Sequence, residues 1–293
     1  MKNTAHLIDI SAVFFRYYFA PGPVIENEDG WDIAALLFSL RWLCKPEFFE
    51  GDLTVAAFDE SLGTGFRHKL DEDYKANRAL PTDDIVYQLS ALKVFCEYLG
   101  FAVVASEEVE ADDLIGAASI QLNNHNSVIH SRDKDLRQLV SPQVIMKDIM
   151  TDKIWNEASL LEDTGLTPDQ VALYLALMGD SSDNIVGLPG IGDKTARALL
   201  TEYKDWTGIL AAANSGTKLP IRGSDRICNT LNEYEALVEH NLQLTQLKTD
   251  DILDLSVLPF DQENYVMVEA LAEQFGLRSK LKKAFTIISE FVK

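Results

Sequence analysis

Apolar and polar positions along the first half of the chain follow two alternating rhythms. Short runs rich in β-branched residues fall at His6 to Ile10, Thr54 to Phe58, Ala102 to Ala105, Ser127 to His130 and Gln143 to Lys147. Runs of that length and composition read as strands. Between them, Trp31 to Cys44, Ile85 to Leu99 and Ala111 to Leu122 carry apolar residues at helical spacing. Strands alternating with helices predict a parallel sheet with both faces covered. From about Thr167 the pattern becomes helical only: a helix after Pro168, a turn region GDSSDNIVGLPGIG, then helices over DKTARALLTEY, Ile227 to Thr245, Tyr265 to Phe275 and Ser279 to Ser289. No fixed-period repeat or flexible linker intervenes. The helical half is therefore expected to pack directly on the sheet half.

Three of the predicted strands end in or near an aspartate, Asp9, Asp59 and Asp133. In an open parallel sheet those ends face one crevice, where ligands bind. Any one of them alone reads as an ordinary loop-entry residue. Further acids accumulate at a helix opening, Glu110, Asp112 and Asp113, beside Asp133 at Asp135, and in the later turn at Asp180 and Asp183. Acids in a first helical turn are favoured by the helix dipole without any ligand. Nine carboxylates in five places are another matter, because such a cluster is stable only around cations. Oxygen ligands without His or Cys select hard divalent ions, Mg²⁺ or Mn²⁺ before Zn²⁺. Two such ions are the usual machinery of in-line displacement at phosphorus, so phosphodiester hydrolysis is the expected chemistry. A calcium-storage surface is the competing reading, weakened by the absence of an EF-hand loop.

Two further segments bear on a phosphate partner. FRHKLDEDYKANR gathers Arg67, Lys69, Lys75 and Arg78 around Tyr74, a mixture suited to phosphate contact and base stacking, though Asp71 to Asp73 dilute it to an ordinary solvated helix if read alone. The run Gly187 to Thr195 precedes a helix and offers backbone N–H groups to a phosphate. It is neither a P-loop nor a dinucleotide fingerprint. A simple helix-capping loop is the competing reading.

Taken together, LIDIS, AAFD…FRHKLDEDYKANR, VEADDLIG, SRDKDLRQLV and LALMGDSSDNIVGLPGIGDKTARALL resemble the bacterial 5′-nuclease (flap endonuclease) family, to which the N-terminal 5′→3′ exonuclease domain of DNA polymerase I also belongs. The resemblance implies a PIN-like α/β nuclease core over residues 1–165 with a helical arch at about 60–82. A helical region over 166–293 would follow, with a helix-three-turn-helix motif at about 175–205. It implies that Asp9, Asp59, Glu110, Asp112 and Asp113 form a first metal site, and Asp133, Asp135, Asp180 and Asp183 a second. Arg16, Arg67, Lys75 and Arg78 would steer and polarise the scissile phosphate, with Tyr74 as an arch aromatic. Gly187, Gly190, Gly192, Lys194, Thr195 and Arg197 would hold duplex DNA, with K⁺ bound at the hairpin. The chain departs from the family at Ile10, where Gly is usual, and in the longer ESLGTG loop carrying Glu60. The expected activity is Mg²⁺-dependent cleavage of DNA at 5′ flaps, nicks and 5′ ends in replication and repair, beside a polymerase and ligase. A PIN-type or primer-removing ribonuclease and a non-cutting branched-DNA binder are the alternatives.

Composition changes this picture in two places. Three cysteines without pairing motifs and the lack of ~18 continuous apolar residues point to a cytoplasmic, non-membrane protein, with a monomer as the default. The net charge, 26 − 46 = −20, excludes a uniformly basic nucleic-acid coat. Any DNA contact must be local, at Arg67 to Arg78, at the Gly187 to Thr195 amides with Lys194 and Arg197, or at Arg278 to Lys283.

Overall fold

The computed structural model describes residues 3–216 and 218–293. Its order begins β1 (Thr4–Asp9), α1 (Ile10–Tyr18), α2 (Ala34–Leu43), α3 (Glu47–Glu50), β2 (Leu53–Asp59), α4 (Phe66–Leu70), α5 (Asp83–Tyr98), β3 (Ala102–Ser106) and α6 (Ala111–Gln121). It continues β4 (Asn126–His130), β5 (Val144–Lys147), β6 (Ile154–Trp155), α7 (Glu157–Thr164), α8 (Val171–Met178), β7 (Gly179–Asp180) and β8 (Ile185–Val186). The helices α9 (Asp193–Tyr203), α10 (Trp206–Asn214), α11 (Ser224–Glu233), α12 (Glu235–Thr245), α13 (Gln262–Gln274) and α14 (Arg278–Ile288) complete it.

The five β-branched runs all become strands, and with the short β6 they form one sheet in the order β3-β2-β1-β4-β5-β6. Pairing is parallel from β3 to β5, and only the short β6 is antiparallel. The chain leaves β1 in one direction toward β2 and β3 and returns on its other side at β4. The switch point, where an open α/β sheet forms its crevice, therefore lies between β1 and β4. Alternation along the strands sends Ile8, Ala56 and Phe58 to one face, against α1, α2 and α5, and Leu7, Val55 and Ala57 to the other, against α6. Every residue of β1 is buried, as expected for a strand covered on both faces. Val268, Leu281 and Phe285 of α13 and α14 join the first of these cores, so the chain returns at its end to the sheet. Helices α8 to α12 enclose a separate core around Leu175, Leu199 and Leu231.

Three local readings are corrected. The region after Thr167 is not helical only, because β7 and β8 form a two-residue ribbon. Gly179 has φ +83, and a Cβ there would lie 2.4 Å from the Gly187 amide nitrogen, so the ribbon closes only around glycine. The stretch Ile227 to Thr245 is two helices broken at Tyr234, whose ψ of 22° departs from the helical value. Residues 60–82 hold one five-residue helix, α4, followed by turns. The Asp71 side chain accepts from the Asp73 amide and Lys75 adopts φ +53, and both stop a helix from propagating. No helix among the described residues is long and apolar enough to cross a membrane.

Candidate active site

Asp9 ends β1 and caps α1 in one step. Its Oδ1 accepts from the Ala12 amide at 2.9 Å, and its Oδ2 from the Ser131 hydroxyl at 2.8 Å. Ser131 follows β4, so this bond crosses the switch point. The same hydroxyl accepts from the Asp133 amide, and Asp133 Oδ1 accepts from the Asp135 amide, both at 3.0 Å. Asp59, at the end of β2, accepts from the backbone and hydroxyl of Ser61. Helix α6 brings Glu110 and Asp112 from the other side, and the β7–β8 turn brings Asp180 and Asp183. Oxygens of Asp135, Asp180 and Asp183 lie within 4.8 Å of one another.

The electrostatics divide these acids. Burial pushes the Asp9 carboxyl up to about 6, helped by Asp133 and Asp59 and opposed by its two hydrogen bonds. Burial raises Asp112 well above the usual carboxylate range, reinforced by Asp133 and Asp9. Burial also raises Asp135 well above it, reinforced by Asp133, Asp183 and Asp180. Asp135 Oδ1 is buried without a hydrogen-bond donor. A bare buried carboxylate oxygen among other acids is a donor set for a hard cation, so these residues fit a divalent metal.

Glu110, Asp180 and Asp183 carry their own cations. Burial works against the charge on Glu110, but Lys75 at 2.6 Å and Arg67 at 3.2 Å outweigh it and hold the carboxyl below its ordinary value. Asp180 is held low against burial by Lys134, 2.7 Å away, and by Ser182. Asp183 meets Arg78 at 2.6 Å and Lys75 at 3.9 Å, yet burial still leaves it raised.

Asp113 was expected among the metal ligands, and the structure places it otherwise. Both of its oxygens grip Arg67, at 2.6 and 2.8 Å, and they also accept from the Glu110 and Lys248 amides. Four donors leave no free lone pair for an ion. Arg67 is likewise spent. Only 3% exposed, it directs its Nε and Nη2 to the Leu244 and Gln246 carbonyls and the rest to Asp113 and Glu110. It ties α4 to α6 and to the end of α12 and has no donor left for phosphate.

Tyr74 is also turned inward. Its phenol lies 3.0 Å from Glu110 Oε2 and 3.2 Å from Asp183 Oδ2, and its ring packs with Ile185 and Leu244. In this conformation it offers no face to a base. Arg16 donates to the Ile149 carbonyl and lies beside the Tyr17 ring, rather than pairing with a carboxylate of the cluster. Lys75 and Arg78 lie against the cluster, on Glu110 and Asp183.

In the glycine loop, Gly190 (φ +79) and Gly192 are exposed, with Lys194 at the start of α9 and Thr195 half-buried. Gly187 is glycine for a packing reason: a Cβ there would lie 2.1 Å from the Met178 carbonyl oxygen. Arg197 is engaged internally with Asp193, the Thr164 carbonyl and the Tyr174 ring. Two side chains escaped the sequence reading. Lys134 sits between two acids already singled out, where an alternating backbone sends it the other way, and Ser131 precedes them in the same SRDKD run. Two open clefts, of about 500 and 490 Å³, lie away from the carboxylates. Lys75 and Tyr74 sit between Glu110 and Asp183.

Comparison with known proteins gives two family matches. The N-terminal resolvase-like domain of 5′-3′ exonucleases matches residues 4–165, and their C-terminal SAM fold matches 166–266. The chain is 34% identical over 254 residues to DNA polymerase I of Pseudomonas aeruginosa, a match covering 86% of this chain and 28% of that one. It thus spans about a third or less of the DNA polymerase I relatives it matches. It is 31% identical to a 5′-3′ exonuclease of Mycoplasma pneumoniae, covering 97% of this chain and 99% of that protein. A structure of the T5 5′-exonuclease with zinc ions bound superposes with TM-score 0.65 at 20% identity, covering all of both chains. That likeness speaks for the fold.

Proposed function

The chain belongs to the 5′-3′ exonuclease family, and from that premise we propose that it is a divalent-metal-dependent nuclease hydrolysing DNA phosphodiesters at 5′ flaps and from 5′ ends. The observation that carries this reading is the set of buried carboxylates without side-chain cations at the switch point of the sheet, one of them with an oxygen that accepts no hydrogen bond, with a lysine ammonium beside the cluster. Asp9, Asp112, Asp133 and Asp135, with Asp59, Glu110, Asp180 and Asp183, are the proposed ligands, and an all-oxygen set favours Mg²⁺ or Mn²⁺. Bound there, such ions supply Lewis-acid stabilisation of the charge that builds on a phosphate as its P–O bond breaks.

The chain's own residues have separable tasks. Lys75 presents a cation to the phosphate from the segment after α4, and Arg78 adds a second, half-exposed one. Asp113 and Arg67 are positioning residues that fix the mouth of α6, and so the direction of Glu110 and Asp112. Ser131 holds Asp9 and Asp133 in one register across the switch point. The exposed backbone at Gly190 and Gly192, with the start of α9 and Lys194, is the proposed duplex contact, and K⁺ is the ion proposed for that hairpin. A cytoplasmic monomer acting beside a polymerase and a ligase fits this reading.

Incubation with a labelled 5′-flap duplex tests it. Wild type with Mg²⁺ should release the flap, EDTA should stop release, and Asp112→Asn should slow single-turnover cleavage by about 10² or more while leaving the fold intact. Cleavage that survives both EDTA and Asp112→Asn would sink the proposal.

A further inference from the structure

The segment following α4 is bolted to the carboxylates it should serve. The Lys75 amide donates to the Asp183 carbonyl at 2.9 Å, Asn184 to the Asp73 carbonyl at 2.7 Å, and Asn77 to the Ser181 carbonyl at 3.0 Å. Its cations occupy the acids directly, Lys75 on Glu110 and Arg78 on Asp183. Tyr74 fills the gap between those two carboxylates and is 3% exposed. Lys75 holds all this at φ +53, a backbone state that a side-chain-bearing residue keeps only while its surroundings impose it.

We propose that residues 71–78 form a self-closing latch in which Lys75 and Arg78 stand in for divalent ions, so that an ion entering at Glu110 and Asp183 displaces them and frees the segment. The reasoning is electrostatic. Glu110 and Asp183 are neutralised by side-chain cations, and a dication at the same oxygens would sit at ion-pair distance from both of them. Repulsion at that range in a partly buried site is strong. The left-handed Lys75 then loses the contacts that hold it. The acids without side-chain cations, Asp9, Asp112 and Asp135, accept an ion without this conflict, so one part of the cluster loads freely and the other loads only as the latch opens. Linkage makes the effect reciprocal: if the ion favours the open latch, a change that opens the latch favours the ion. Resting on the nuclease reading, this adds regulation of the same site, since a chain without ions is closed to a single-stranded 5′ end.

Hydrogen–deuterium exchange on the full chain without DNA tests this, with Mg²⁺ binding followed in parallel by calorimetry. Mg²⁺ should speed exchange of the peptide covering 73–78 by about fivefold or more, while β1 and β4 stay protected. Arg78→Gln, at a half-exposed side chain, should open the same peptide without Mg²⁺ and bind Mg²⁺ about twofold to fivefold tighter, the range of one partly exposed ion pair. Exchange at 73–78 that is unchanged or slowed by bound Mg²⁺, no Mg²⁺ binding at all, or unaltered affinity in Arg78→Gln each overturns the latch. Flap cleavage by the wild type separates this from the nuclease reading. Cleavage with a rigid segment removes the latch alone, and ion-driven opening without cleavage removes the nuclease reading alone.

Discussion

Asp112 and Asp113 are neighbours in the first turn of one helix, and they live in opposite electrostatic worlds. Asp112 faces Asp9, Asp133 and Asp135, and burial among like charges drives its carboxyl up. Asp113 faces Arg67, which spends three of its five N–H groups on Asp113 and Glu110 and the other two on carbonyls. The same division runs through the whole cluster. Asp9, Asp112 and Asp135 store repulsion that only an external cation relieves, while Glu110, Asp113 and Asp180 are already neutralised by Arg67, Lys75 and Lys134. An acid in a recognisable motif is thus no guide to its task until its partner is known. Charge alone marks the site, and the distribution of counter-charge tells which acids wait for a ligand.

The sharpest way to break this comparison is to remove the two neighbours separately. Asp113→Ala leaves the Arg67 guanidinium buried with Glu110, at 3.2 Å, as its one remaining carboxylate, which should cost about 3 kcal/mol of stability. Asp112→Asn removes a charge that its surroundings disfavour, so in EDTA it should stabilise the fold. Urea unfolding of both variants without ions reads the two signs. Equal destabilisation would abolish the distinction between the two sets.

The next test uses pH. Asp9 rises from 3.8 in the unfolded chain to about 6 in the folded one. Between those values the folded state holds a proton that the unfolded state has released, so this group's contribution to stability falls as pH rises through the window. Two pKa units correspond to about 3 kcal/mol. Buried His6 and His130, 2.9 Å apart, run the other way: burial lowers both, so their contribution is lost as pH falls below 6.5. Comparing Asp9→Asn with wild type isolates the first effect. In EDTA the variant should gain little at pH 4 and up to about 3 kcal/mol at pH 7, and Mg²⁺ should erase the gain. A pH-independent difference would mean that Asp9 bears no repulsive burden.

Much of this was legible in the chain, for identifiable reasons. The strands show because β-branched runs are bounded by polar turns, and β1 is continuous because it is buried on both faces. The aspartates at strand ends show because a parallel sheet gathers those ends at one edge. The β7–β8 ribbon was not legible, since two residues per strand carry no period and its cause is a close backbone approach of Gly179 to Gly187. Neither was the fate of Arg67, whose partner Asp113 is 46 residues away and whose carbonyl partners, Leu244 and Gln246, lie at the end of α12. A cation beside an aromatic in FRHKLDEDYKANR reads the same whether it faces a phosphate or a carboxylate. Only the fold settles that Tyr74 turns inward.

Tyr74 therefore gives the smallest and most discriminating prediction. Its hydroxyl donates into the space between Glu110 and Asp183, the two acids at which the counter-charged set meets the latch, with partners at 3.0 and 3.2 Å. One proton serves both oxygens, so the bond is weaker than a full charge-assisted one, and Tyr74→Phe should cost about 1 kcal/mol. The ring's contacts with His68, Ile185 and Leu244 survive that change. If the phenol is the working part, Tyr74→Phe loosens the 73–78 segment and brings Mg²⁺ affinity up slightly, while DNA affinity stays level. If the ring instead stacks on a base in the complex, Tyr74→Phe is silent in both and Tyr74→Leu weakens DNA binding. Measuring Mg²⁺ and flap-DNA affinity in the two variants decides which part of the side chain the cluster was built around.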